Sequence, residues 1–153
     1  MQSNKIELTI ELVPSTCWYS NVRSEVSKKK WDSIRKACYK KANYMCEICG
    51  KREELQAHEI WHYDEDSKRQ ILQGIISLCP KCHMCKHWGL SSLRGKEEAC
   101  IQHMMKVNGW SKEDVLLYVE SAFEQWSRRS QHKWDLDISW LDGDQNTQEK
   151  DIC

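Results

Sequence analysis

The sequence predicts a mixed α+β fold built around a four-cysteine metal staple, and three observations carry that prediction. Two CxxC pairs, Cys46 with Cys49 and Cys79 with Cys82, enclose 29 residues and can grip one ion from two tight turns. Apolar and polar residues alternate near both ends of the chain, the period of a half-buried strand. Three further segments carry apolar residues at helical spacing.

Taken in order, Ile6, Leu8, Ile10 and Leu12 alternate with Glu7, Thr9 and Glu11 up to Pro14, which predicts a strand with one wet face. Residues 27–43 place Trp31, Ile34, Cys38 and Ala42 on one side with lysines between, an amphipathic helix that delivers the chain to Cys46. In the stretch 46–89, Gly50, Gly74 and Pro80 interrupt helix formation, and Ile75-Ile76-Ser77-Leu78 suits a short buried strand. Pro80 is well placed to open a helix. Another helix is expected over 95–108, stopped by the left-handed pair Asn108-Gly109. A third is expected over 112–129, capped by Ser111 and burying Val115, Leu116, Tyr118, Val119, Ala122, Phe123 and Trp126. Trp134, Leu136, Ile138 and Trp140 alternate once more, giving a second terminal strand able to pair with the first. These elements form one domain over residues 1–141, followed by an acidic tail, 142–153, expected to be disordered.

Composition narrows the function classes. A mean hydropathy of −0.76, no membrane-length apolar run and a polar stretch after Met1 lead to the expectation of a cytoplasmic protein. In a reducing compartment, nine cysteines point to metal binding before disulfides. Cys17, Cys38, Cys85, Cys100 and Cys153, outside the pairs, read as small buried hydrophobes or idle thiols. The net charge of zero conceals an asymmetry: residues 21–52 carry ten Lys or Arg against three acids, whereas residues 135–151 carry six acids against Lys150. Arg23, Lys28, Lys29, Lys30, Arg35, Lys36, Lys40 and Lys41 thus form either a phosphate-binding face or a solvated helix surface. Trp18, Asn21 and Arg23 precede that helix in a polar connection, where an arginine can contact a phosphate in bidentate fashion.

Four thiolates suit zinc, a soft-tolerant d10 ion that accepts a tetrahedron, and they leave no open coordination position, so the role expected of the quartet is structural. Four histidines lie around it: His58 and His62 in AHEIWHY, His83 and His87 in CHMCKH. On a helix, His83 and His87 stand one turn apart and can share an ion. An ion with three protein ligands and open positions can bind a phosphate oxygen while a neighbouring base deprotonates water. The stretch His58-Glu59-Ile60-Trp61-His62 also satisfies HExxH, a metalloprotease pattern that functions only on a helix.

At CEIC, AHEI and SLCPKCHMCKH the sequence resembles the HNH endonuclease family, whose pattern is a CxxC, an "HHI" or "DHI" strand end, a middle Asn and a closing LCxxCHxxxH. The similarity covers Cys46 to His87, and the centre HEIWHYD resembles a group of small bacterial and phage members. It implies a ββα-metal core, a hairpin followed by a helix around one catalytic divalent ion, here stapled by the zinc and flanked by additional helices and short terminal strands. It further implies Mg²⁺ or Mn²⁺ held by His58, His83 and His87, and hydrolysis of phosphodiester bonds in double-stranded DNA, with His58, Glu59 and His83 as the catalytic group. Glu59 stands where most members place the water-activating His, and Gly74, with Gln73 beside it and Gln70 nearby, where they place the Asn. These departures keep open a zinc-binding module of the same fold that has lost catalysis and grips DNA or a host protein. Pairing into a homodimer is compatible with either.

Overall fold

A β-hairpin forms the middle of the computed structural model, which describes residues 6–17 and 22–143. Trp18, Asn21 and the tail from Asp144 to Cys153 lie outside the described residues. Strand β1 (Gln56–Asp64) pairs antiparallel with β2 (Arg69–Leu78). Ile60, Trp61, Tyr63, Ile71, Ile75 and Ile76 are the β-branched and aromatic types that pack well on a pleated surface. The Asp64 carboxylate closes the turn by accepting hydrogen bonds from the amides of Asp66 and Ser67.

One irregularity decides which residues face where. Ile60 lies opposite Gly74 but Trp61 lies opposite Leu72, so Gln73 is an extra residue on β2. Such a bulge reverses side-chain parity. Leu72 and Ile75, an odd number of residues apart, therefore join the same cluster, while Ile76 and Leu78 join the other.

The sheet thus has two covered faces. On one, Ile76 and Leu78 pack with Cys46, Ile48, Cys79, Cys82, Met104 and Val115 beneath α3 (Pro80–Lys86), α5 (Glu97–Asn108) and α6 (Lys112–Arg129). On the other, Leu72 packs with Val22, Trp31, Ile34 and Leu141 from α1 (Val22–Glu25), α2 (Lys28–Lys41) and a 3₁₀ turn, Ser139–Asp142. A sixth helix among the described residues, α4 (Trp88–Leu93), is absent from the sequence expectation. No helix is long and apolar enough to cross a membrane among the described residues.

The predicted helices form where their caps are. The Ser27 hydroxyl accepts from the Lys30 amide at 3.1 Å, and Lys40 and Lys41 complement the C-terminal dipole of α2. Gly109, at φ 68°, ends α5, and Ser111 and Asp114 form a reciprocal capping box that starts α6. The apolar face of α6 is narrower than expected, since Val115 is buried while Leu116 and Phe123 are 43% and 38% exposed.

The terminal strands are corrected. Residues 6–13 are extended but belong to no sheet, and they do not pair with 134–140. Leu8 and Ile10 find their backbone partners in side chains: Asn108 accepts from Leu8 N–H at 2.8 Å and donates to Leu8 C=O at 2.9 Å, and Tyr118 Oη accepts from Ile10 N–H at 3.0 Å. Alternation survives without a sheet because Leu8 and Ile10 still point into the core. At the other end only Asp135–Asp137 is a strand, β3, which runs parallel to Arg69–Ile71 and is tied by an Arg69–Asp137 ion pair. Asp137 then turns the chain by accepting from the amide and hydroxyl of Ser139.

Asn108 therefore pins the N-terminal segment through both backbone groups of the fully buried Leu8. Replacing it by alanine strands a buried donor and acceptor, so Asn108→Ala is expected to lower unfolding stability by about 2 kcal/mol. Urea denaturation measures this, and an unchanged midpoint would mean that the segment is held elsewhere.

Candidate functional site

Cys46 and Cys49 lie in the loop between α2 and β1, where Gly50, at φ 78°, donates to Cys46 C=O at 2.9 Å and turns the chain back. Cys79 is the N-cap of α3, with Pro80 at the first helical position, and its sulfur accepts from the Cys82 amide at 3.5 Å. The four sulfurs lie within 4.8 Å of one another, and Cys49 Sγ is 3.6 Å from Cys79 Sγ. Sulfurs bound at about 2.3 Å to a tetrahedral zinc are themselves about 3.8 Å apart, so the spacing fits such an ion. Electrostatics agree. The Cys46 thiol is held down to about 4 by hydrogen bonding from Cys82 and by nearby backbone amides. Hydrogen bonding to Cys46, followed by burial, pushes Cys82 up, and burial pushes Cys79 up to about 11. Four thiolates this close repel one another, and a bound cation would offset that repulsion.

The second cluster joins β1 to α3. His58 projects from β1 toward the helix side of the sheet and is 3% exposed, while His83 lies in the last turn of α3 and His87 is the C-cap that follows it. Ligand atoms of all three lie within 4.8 Å of one another. The Nε2 atoms of His83 and His87 are 2.9 Å apart, and the His58 ring centroid is 5.3 Å and 4.9 Å from theirs. Nitrogens bound at about 2.1 Å and at right angles to each other are about 3 Å apart, so the pair fits one ion. His58 Nδ1 is buried with no hydrogen-bond partner, as a ligand nitrogen without its ion would be. Burial, reinforced by His87 and His58, pulls the His83 pKa down to about 4. Burial and His58 lower His87 as well, against Glu59 and Glu11. Both shifts favour the neutral imidazole, the form that donates a lone pair to a metal.

The remaining candidate residues are distributed around these clusters. Glu59, next to His58 in the strand, projects to the opposite face, where its Oε1 accepts from Val22 N–H at 3.0 Å, and it is not one of the clustered ligands. His62 is exposed on β1 outside the trio. Because His58-Glu59-Ile60-Trp61-His62 is strand, the one-turn spacing that an HExxH zinc site needs is absent. Gln73 is the exposed bulge residue, and Gln70 is buried against Tyr63 Oη at the far end of the hairpin, so neither approaches the trio. Cys85 and Cys100 are core thiols, as expected of cysteines outside the pairs, and Cys17 and Cys38 are half-buried.

Three polar neighbours of the clusters were not identified from sequence. Glu11 Oε2 lies 2.7 Å from His58 Nε2, Gln56 Oε1 lies 2.5 Å from His83 Nδ1, and His103 Nε2 lies 3.2 Å from Cys82 Sγ. Carboxylates and amides in such positions orient ligating imidazoles, and an N–H on a thiolate stabilises its charge. For His103 a signal existed: it interrupts the buried stripe Cys100, Met104, Val107 of α5. Glu11 gave none, since it read as the wet face of a strand.

The basic residues lie on the other side of β1. Lys28, Lys29, Lys30, Lys36, Lys40 and Lys41 are exposed along α2, whereas Arg35 is half-buried and paired with Asp32 at 2.9 Å. A groove of about 720 Å³ runs between α2 and the start of β1, with Arg23, Lys28, Trp31, Arg35 and Ala57 along it and His83 at its end. Arg23 lies over the Trp31 ring at 5.9 Å. Ala57 and Glu59 share a face of β1, so the groove opens on the side to which Glu59 projects. The chain matches no family model, no curated protein and no solved structure.

Proposed function

We propose that the protein is a metal-dependent endonuclease of the HNH type, hydrolysing phosphodiester bonds in double-stranded DNA. The observation that carries this reading is the convergence of His58 from β1 with His83 and His87 from α3, directly after a four-thiol cluster. A hairpin followed by a helix, with ligands at the strand end and one turn apart on the helix, supports the resemblance of AHEI and CPKCHMCKH to that family. In this reading Cys46, Cys49, Cys79 and Cys82 hold a structural zinc, and the three histidines hold Mg²⁺ or Mn²⁺. The ion supplies a Lewis acid for the phosphate oxygen and the leaving alkoxide.

The residues of the chain do the rest. Arg23 and Lys28 lead a phosphate along the groove toward His83, and the α2 lysines neutralise its neighbours. Glu59, the candidate base, lies across β1 from the trio and is tied to the Val22 amide, so it serves the attacking water only by leaving that tether. That same tether, which ties Glu59 to α1, favours a second reading: a zinc-stapled module that binds DNA or a protein without cutting.

Purified protein, plasmid and Mg²⁺, Mn²⁺ or Ni²⁺ separate the two. Nicked or linear product that depends on added metal is expected, whereas intact plasmid with retained DNA binding favours the module. Where DNA is the ligand, the α2 surface binds by counter-ion release, so log Kd against log salt concentration is expected to be steep. Lys29→Ala together with Lys36→Ala should lower that slope by about 2. Fluorescence anisotropy on a labelled duplex measures it, and an unchanged slope would remove α2 from the interface.

A further inference from the structure

We propose that Glu11 is a positioning residue that fixes the tautomer of His58 and thereby selects Nδ1 as its ligand atom; the proposal deepens the histidine-trio reading above. Glu11 Oε2 lies 2.7 Å from His58 Nε2 in a largely buried setting, where the imidazole is 4% exposed and the carboxylate side chain 24%. A carboxylate only accepts hydrogen bonds, so the contact places the imidazole proton on Nε2. Nδ1 is then left with a lone pair, and that atom is the one that is buried and has no partner. Glu11 itself is not part of the ligand cluster, so its role is exerted through His58.

The N-terminal segment is built to deliver this carboxylate. Leu8 is clamped by Asn108 of α5, Ile10 by Tyr118 of α6, and Glu11 N–H donates to Lys86 C=O at 2.9 Å. Lys86 Nζ reaches back to Thr9 Oγ1 at 2.7 Å. Lys86 directly precedes His87, so the segment is bonded to the helix that carries two of the histidines and hands Glu11 to the third. An extended segment that enters no sheet thereby gains a purpose: it carries the outer partner of a carboxylate–histidine pair, an arrangement that orients metal-binding imidazoles. Gln56 stands in the corresponding relation to His83, accepting at Nδ1 and leaving Nε2 toward His87.

The test uses the full chain before any divalent ion is added, then Mn²⁺ alone as the probe. Long-range ¹⁵N NMR reports which nitrogen of each histidine carries the proton. His58 is expected as the Nε2–H tautomer in the wild type, as a tautomer mixture in Glu11→Ala, and again as Nε2–H in Glu11→Gln, whose amide oxygen still accepts. Mn²⁺ affinity should fall roughly 10–100-fold in Glu11→Ala and to a lesser degree in Glu11→Gln. His58 protonated on Nδ1 in the wild type, or Glu11→Ala with unchanged tautomer and Mn²⁺ affinity, overturns the proposal. Should Glu11→Ala fail to fold, Glu11→Met, which keeps the bulk but offers no oxygen acceptor, decides, and an unchanged His58 tautomer with wild-type Mn²⁺ affinity in that variant overturns it. A wild type that binds no Mn²⁺ yet shows the Glu11-dependent Nε2–H tautomer overturns the ion site and the nuclease reading, while supporting the positioning role of Glu11.

Discussion

Cys46→Ser is expected to cost the protein both its tightly held metal and most of its folding stability. Cys46, Cys79 and Cys82 are 3%, 1% and 0% exposed and belong to the same buried cluster as Leu8, Ile76, Leu78, Met104 and Val115. The thiols therefore link the loop after α2 and the start of α3 to the face of the sheet that carries the core. Structural zinc sites contribute on the order of 10 kcal/mol of apparent binding energy at neutral pH, comparable to the whole stability of a domain this size. The wild type should carry about one zinc per chain by elemental analysis, a strong chelator should abolish cooperative thermal unfolding, and Cys46→Ser should do so without chelator. Cys85→Ala provides the contrast, because Cys85 is equally buried but bonded to the Cys100 carbonyl and outside the quartet. That variant should lose stability through its cavity and keep its zinc. A metal-free wild type with an unchanged melting curve would show that the four thiols are only core.

How much of this was legible in the sequence follows from the range of the interactions involved. The Ser111–Asp114 capping box, the Gly109 stop, the CxxC knuckles and the one-turn spacing of His83 and His87 are local, so sequence spacing determines them. α4 was missed because it has no side-chain cap and contains Gly89, Ser91 and Ser92. The N-terminal segment shows how a correct pattern can yield an incorrect element. Leu8 and Ile10 do alternate with exposed or half-exposed neighbours, but the groups that satisfy their backbone are the Asn108 and Tyr118 side chains, about a hundred residues on. Alternation reports burial on one side, and it cannot say whether the hydrogen bonds are made by a strand. The same non-locality hid Glu11 and Gln56, whose importance lies wholly in what the fold sets beside them. The Gln73 bulge, which decides that Leu72 and Ile75 share a face, depends on the pairing of two strands and has no signature in one of them.

His83→Ala should abolish metal-dependent plasmid cleavage while leaving the fold and the zinc in place. His83 is the member of the trio that the basic groove reaches, it pairs with His87 at 2.9 Å, and its Nδ1 is already engaged by Gln56. Losing it removes one of three ligands from a site whose charge stabilisation is worth several kcal/mol, so the rate should fall on the order of a thousandfold. Added Mn²⁺ at high concentration should recover part of that loss, since the defect is in holding the ion. Stability should change little, because the side chain sits at the rim of its cluster and Cys82, its neighbour in sequence, keeps α3 anchored through the thiol cluster. His62→Ala is the discriminating partner. It lies outside the trio, so cleavage should persist, whereas an HExxH site would need His62 as much as His58. Glu59→Gln then separates chemistry from ion binding: a lowered turnover with unchanged Mn²⁺ affinity fits a base on the groove side of β1, and equal turnover would transfer that role to another group. If cutting survives His58→Ala and His83→Ala alike, the nuclease activity does not belong to this site, and the zinc-stapled binding module becomes the better account.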